Sequence, residues 1–170
     1  MRSAVEIRPA RPADAEALAP LLRAADRAEV LASDGLAPLP ALRRSLALSG
    51  EAHAGFLEGE LAVLFGVRRA SMTGRRGIPW LLSGPAVARH PRAFLRASRA
   101  VVAGWRADYS HLGNWVDARY GQALRWLAWL GFTLHPARPY GALGLPFHPF
   151  EMEGRAVTHS DSDAPPRGRR

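Results

Sequence analysis

Arg119-Tyr120-Gly121-Gln122-Ala123-Leu124-Arg125-Trp126-Leu127-Ala128-Trp129-Leu130-Gly131-Phe132 is the stretch from which the chain is best read. Ala123, Trp126, Leu127 and Leu130 follow at spacings of 3, 1 and 3, which lays one apolar stripe along a short helix. Gly131 supplies the left-handed residue that ends such a helix, and Phe132 opens a strand. Residues 114–118 read as the strand leading in. Strand, amphipathic helix, glycine stop and strand make one unit of an αβ fold.

Working outward, residues 5–8 read as a first strand, followed by a turn containing Pro9, Arg11, Pro12 and Asp14. Asp14 or the prolines open a helix expected to reach about Leu31, with Leu18, Leu21, Leu22, Ala25 and Val30 inward. Pro38 and Pro40 precede a helix over Ala41 to Leu48. Apolar runs at 52–57 and 61–70, joined by Glu58-Gly59-Glu60, predict a hairpin. The next strand starts at Ile78 and can continue through Gly84-Pro85 to Val87, where glycine and proline point to a bulge or a splayed edge. Pro91 opens a helix to about Asp108, with Phe94, Leu95, Val101, Val102, Trp105 and Tyr109 inward. Arg92, Arg96, Arg99 and Arg106 fall on its opposite face. A strand at 132–135, a glycine-rich loop and a final strand complete a single domain over residues 1–152. Residues 153–170 lack an apolar pattern and are expected to form a mobile tail.

At 170 residues and 48% apolar composition the chain suits one globular domain. No window approaches the ~18 uninterrupted apolar residues of a membrane span, and the N-terminus lacks the apolar core of a signal peptide. The absence of cysteine excludes disulfides and thiolate metal sites, and six scattered histidines suggest no metal centre. The net charge of +8 is carried by 23 basic residues, all arginine. Such a charge favours polyanionic partners, with nucleic acid the candidate.

Ala123, the Leu130-Gly131-Phe132 stop and the preceding strand resemble the last helix of the GCN5-related N-acetyltransferase (GNAT) fold. That helix follows the pattern Asn-x-x-Ala-x-x-x-Tyr-x-x-x-Gly-Phe. The strand, Arg8-to-Asp14 turn and alanine-rich helix at the start of the chain resemble the same fold. It implies a mixed, mostly antiparallel sheet of six or seven strands flanked by about four helices. From Gly77 to Met152 the resemblance narrows. Gly77-Ile-Pro-Trp-Leu-Leu82, His90-Pro-Arg-Ala-Phe-Leu-Arg-Ala-Ser-Arg99, Arg125-Trp-Leu-Ala-Trp-Leu-Gly-Phe132 and Tyr140-Gly-Ala-Leu-Gly-Leu-Pro-Phe-His-Pro-Phe-Glu-Met152 resemble a GNAT-like family of tailed-phage proteins. It includes the small internal virion protein of short-tailed phages. This resemblance implies a virion-associated role in assembly or genome ejection. The partners would be other virion proteins or further copies of the chain, in the virion or the host cytoplasm.

Three features decide whether such a scaffold transfers acetyl groups. The glycine-rich turn that cradles the CoA pyrophosphate corresponds to Val87-Ala88-Arg89-His90-Pro91-Arg92-Ala93-Phe94, which has no glycine and a proline without an N–H. There Val87, Arg89, Arg92 and Arg96 are the candidates for holding CoA. The tyrosine that protonates the leaving thiolate corresponds to Leu127, and Tyr120 falls elsewhere in the helix pattern. For the general base the carboxylates are Asp117, at a strand end, and Glu58 or Glu60. The expectation is therefore a GNAT scaffold without catalysis and without a cofactor. The alternative is an acetyl-CoA-dependent N-acetyltransferase acting on a host protein or small amine, with Asp117 as base. A scaffold without a cofactor has no need of an open cleft between its central strands, so Trp80, Pro85 and Phe94 are expected to fill it. Function would then rest on surface residues: Trp129, Tyr140, Phe147 and Phe150 as interface aromatics, and the arginine stripe.

Overall fold

A computed structural model describes residues 4–72 and 74–155. The chain begins with β1 (Val5–Pro9), α1 (Pro12–Leu18), a 3₁₀ turn at Ala19–Leu21, α2 (Ala24–Asp34) and α3 (Pro38–Leu48). It continues through β2 (Glu51–Leu57), β3 (Glu60–Arg69), β4 (Arg76–Ser83), α4 (Ala86–Arg89), α5 (Pro91–Asp108) and β5 (His111–Asp117). It closes with α6 (Gly121–Leu130), β6 (Thr133–Leu134), β7 (Arg138–Tyr140) and β8 (Leu145–Glu153).

The strands form one eight-stranded sheet in the order β1-β2-β3-β4-β5-β8-β6, with β7 also on β8. Every pairing is antiparallel except β4 with β5. Those two run parallel and pair only at Arg76–His111 and Gly77–Leu112. Beyond Gly77 they splay apart, and this V shapes everything that follows.

Helices cover both faces. On one, Leu18, Leu22, Val30 and Leu42 pack on Ala54, Leu64 and Leu82. On the other, Val102 of α5 and Leu127 of α6 pack on Val67, Leu112, Val116, Phe150 and Met152. Burial of this apolar surface is the main force holding the layers together. The Arg119–Phe132 reading holds: Gly131 sits at φ +96°, and the Phe132 amide bonds back to the Leu127 carbonyl at 3.1 Å. The 58–60 hairpin forms as expected, with positive φ at Glu58 and Gly59.

Local chemistry explains the departures. Pro20 splits the expected long first helix, because its ring removes an amide donor. The chain turns there, leaving Leu21 49% exposed instead of inward. α1 starts at Pro12 while the Asp14 carboxylate accepts the Arg11 amide at 2.7 Å and a fork from Arg8 at 2.7 and 2.8 Å. β4 stops at Ser83 and does not continue to Val87, since Pro85 starts the short helix α4. Among the described residues the sheet has eight strands and the flanks six helices, more than the sequence suggested. β8 extends through Glu153, and Gly154 and Arg155 still bond Ser110 and Arg106 at 2.8 and 2.6 Å. The rest of the expected tail, residues 156–170, lies outside the described residues.

Candidate functional site

The splay between β4 and β5 opens a cavity of about 830 Å³. It was expected to be filled by Trp80, Pro85 and Phe94, and it is not. Trp80 turns its indole N–H to Ser49 Oγ at 2.7 Å, and Phe94 stacks on Trp126 with centroids 5.4 Å apart. Both residues line the cavity wall. Each is occupied by a neighbour on its own side of the sheet, so neither crosses the V.

The backbone of β4 shows what the opening exposes. The Ala70 amide bonds to the Arg76 carbonyl and the Gly84 amide to the Ala62 carbonyl, so even-numbered residues of β4 point their amides at β3. Odd-numbered residues then face the splay. The Pro79 carbonyl accepts from Asn114 Nδ2 at 2.8 Å, and the Ser83 amide donates to Asp26 at 3.1 Å. Leu81, between them, directs its N–H and C=O into the opening, where no strand pairs with it.

Two carboxylates of α2, one turn apart, close the wide end of the V. Asp26, only 2% exposed, accepts from the Ser83 amide, from Ser83 Oγ at 3.0 Å and from the Tyr120 hydroxyl at 3.0 Å. Glu29 accepts the Asp117 amide at 2.8 Å. One helix thus caps a free amide at the end of each splayed strand. Burial pushes the Asp26 carboxyl up, against the pull of Ser83 and Tyr120. Burial, reinforced by the charges of Asp26 and Asp117, raises Glu29 to about 7 despite the Asp117 amide. Burial and the nearby Asp26 charge also raise the Tyr120 hydroxyl. The result is a half-buried carboxyl, at the cavity wall, that exchanges a proton near neutrality.

The residues singled out from sequence fall in several places. Asp117, 2% exposed, is gripped by Arg119, whose Nη2 lies 2.5 Å from Oδ2 and whose Nε and amide each lie 2.9 Å from Oδ1. Burial alone would raise its carboxyl, but Arg119 outweighs burial and holds it below the usual range. Its oxygens are taken up in the turn it forms with Arg119. Glu58 accepts the Ala4 amide and Glu60 pairs with Arg89, so neither carboxylate reaches the cavity and Arg89 is committed to the hairpin. Val87 is buried in the core beside α5. Arg92 and Arg96 are exposed on the first turns of α5. The amides of Arg92 and Ala93 lie in the first turn of α5, ahead of the Phe94 amide, which bonds to His90.

Of the interface candidates, Trp129 is 42% exposed with the Arg99 guanidinium 4.3 Å over its ring. Tyr140 stacks on Trp115 at 4.3 Å. Phe147 and Phe150 are a correction, at 1% and 8% exposed. Three residues apart on β8 they point to opposite faces of the sheet, and with both faces covered both are buried, so they belong to the core and not to its surface. The 141–144 turn is a tight connection whose Ala142 and Leu143 amides cap the Ser33 and Ala32 carbonyls at the end of α2. Arg106 drops out of the exposed arginine stripe, being half-buried, and its carbonyl accepts the Arg155 amide.

Sequence reasoning missed Asp26, Glu29 and Ser83 and set Tyr120 aside. One signal was present: Leu22, Asp26, Glu29, Val30 and Ser33 form a single helical stripe, so acids interrupt an apolar face.

No family model and no curated protein sequence matches the chain. Solved structures do match. The chain superposes on RimL, the ribosomal L7/L12 alpha-N-protein acetyltransferase in complex with coenzyme A, with a TM-score of 0.67, covering 90% of this chain and 95% of that one at 10% identity. It is similar to yncA of Salmonella typhimurium with its cofactor acetyl-CoA, at TM-score 0.64, 14% identity and coverage of 94% and 99%. A GNAT-family acetyltransferase from Streptococcus pneumoniae gives 0.58, 15% identity and 89% and 100% coverage. The fold is that of the GNAT acetyltransferases. At these identities the likeness extends to the fold. Among the described residues no helix is long and apolar enough to cross a membrane.

Proposed function

We propose that the chain is an acetyl-CoA-dependent N-acyltransferase in which Glu29 is the general base. The observation that carries this is a carboxyl on the wall of an open cleft, raised to about 7, beside a strand edge free to pair with a ligand. An amine acceptor arrives protonated, and a base titrating near neutrality can remove that proton. Acetyl-CoA, when bound, supplies the acetyl group as a thioester.

The residues present fit such a ligand along most of its length. Leu81 would hold its amide-bearing arm by adding a strand-like partner to β4. The Arg92 and Ala93 amides and the Arg92 guanidinium would meet its phosphates, replacing glycine backbone with arginine charge. Asp26 and Glu29 hold the two strand ends apart and orient the acceptor nitrogen. As the C–N bond forms and the C–S bond breaks, the nitrogen sheds two protons. Glu29 takes one and the departing sulfur takes the other. Leu127 donates nothing to that sulfur, so the second proton travels through solvent, which predicts slow turnover.

Titration calorimetry with acetyl-CoA tests this reading. Saturable micromolar binding, weakened by Arg92→Ala, supports it, and no heat up to millimolar ligand ends it.

A second reading has its own observation behind it. The four motifs between Gly77 and Met152, with Pro91 at the phosphate end and leucine at 127, suit a tailed-phage virion protein that kept the scaffold and lost the reaction. It predicts that the chain sediments with purified phage particles and fails to bind acetyl-CoA. A free chain that binds acetyl-CoA would remove it.

A further inference from the structure

The acceptor side of the cleft is not uniformly acidic, and this bears on what is acylated. A second, smaller cavity of about 130 Å³ adjoins the main one and shares Asp34, Ser45, Trp80 and Asn114 with its wall. Its own wall adds Arg44 and Arg68. Arg68 is half-buried on β3 and has no ion pair among the described residues. Arg44 pairs with Asp34 at 3.1 Å, so the cluster of two arginines and one aspartate keeps one uncompensated positive charge.

The two ends of this side are joined by α2. Glu29 and Asp34 are five residues apart on it, about 7 Å along the axis at the usual helical rise. A half-buried arginine without an ion pair is open to an anion and well shaped for carboxylate or phosphonate.

Resting on the transferase reading, we infer that the acceptor is a small anionic amine: its ammonium meets Glu29 and Asp26, and its carboxylate or phosphonate, a few bonds away, meets Arg68. The charges of the two ends then match those of the substrate, and a neutral or purely cationic amine leaves Arg68 unanswered. Trp80 and Asn114, which line both cavities, form the wall along which the connecting chain lies.

The test compares acceptors that differ only in the group at the end of a three-methylene chain. Thiol release from acetyl-CoA is measured with 4-aminobutyrate, with 3-aminopropylphosphonate and with n-butylamine. The expected result is a kcat/KM about tenfold or more higher for an anionic amine, the size of effect a charge-assisted contact gives. Which of the two anionic amines leads identifies carboxylate or phosphonate. Arg68→Ala should remove the advantage through KM and leave n-butylamine unchanged, and Arg68→Lys should restore part of it. Tryptophan fluorescence follows 4-aminobutyrate binding without turnover. Saturable, Arg68-dependent binding with no thiol release from any amine would sink the transferase reading and keep the anion site. Turnover of n-butylamine equal to that of the anionic amines, or an Arg68→Ala effect common to all three, would overturn the anion site and keep the transferase.

Discussion

The two walls of the cleft use charge in opposite ways. On the α2 wall, Asp26 is buried and Glu29 half-buried, both are bonded to the ends of β4 and β5, and both are shifted toward holding their protons. On the α5–α6 side, Arg125 at the cavity wall and Arg92, Arg96 and Arg99 outside it are exposed and have no ion pair among the described residues. From Ala86 to Gly131 the chain carries seven arginines against two aspartates. Buried charge tied to backbone is expensive and so marks a site, whereas exposed charge costs little and marks a surface open to any polyanion.

The sharpest break in the comparison should come from replacing residues on either side of it. Phe147 pairs with Asp117 across β5 and β8, behind the acid wall. Phe147→Ala should cost about 3–5 kcal/mol in a denaturant titration. Trp129→Ala, on the arginine wall, should cost about 1 kcal/mol or less, chiefly its contact with Arg99. Equal losses would mean that the exposed tryptophan belongs to the core.

Glu29→Gln comes next. Removing the base should slow thiol release about 100-fold or more while acetyl-CoA affinity is kept. Stability should move the other way. The native carboxyl ionises near 7 and the unfolded one near 4.5, so the wild type loses stability as pH rises between those values. Glutamine removes that slope and should stabilise the fold at pH 8 by about 2 kcal/mol, after discounting for partial exposure. Thermal melts at pH 5 and pH 8 check the sign.

Asp26→Ala strips three donors of their acceptor and should cost about 2 kcal/mol. Asp117→Asn should change activity little if Glu29 is the base. The smallest expected effect belongs to Arg96→Ala with Arg99→Ala. Heparin retention should fall to lower salt while the melting curve stays in place.

The two walls also differ in how far the sequence reveals them. The arginine stripe is local, since Arg92, Arg96 and Arg99 lie within three turns of one helix and need no tertiary contact to be seen. The same is true of the α6 stripe and its Gly131 stop, and of the 58–60 hairpin. The acid wall is assembled at long range: Asp26 meets Ser83 and Tyr120 at separations of 57 and 94 residues, and Glu29 meets Asp117 at 88. Nothing local distinguishes Glu29 from a solvated glutamate until β4 and β5 splay around it. Asp117 drew attention because strand-end carboxylates are easily recognised, yet the arginine two residues on neutralises it. Phe147 and Phe150 misled for a related reason, since a glycine-rich loop beside aromatics looks exposed until β8 turns them inward.

The central claim, that Glu29 is a working base in an open acyltransferase cleft, is tested most directly by the pH profile of thiol release from acetyl-CoA. The wild type and Glu29→Gln are measured with saturating amine from pH 5.5 to 9. The account predicts a wild-type rate that rises through an apparent pKa of about 7 and a variant that lacks this limb. A wild type that binds acetyl-CoA and releases no thiol at any pH, or a variant with an unchanged profile, would contradict it.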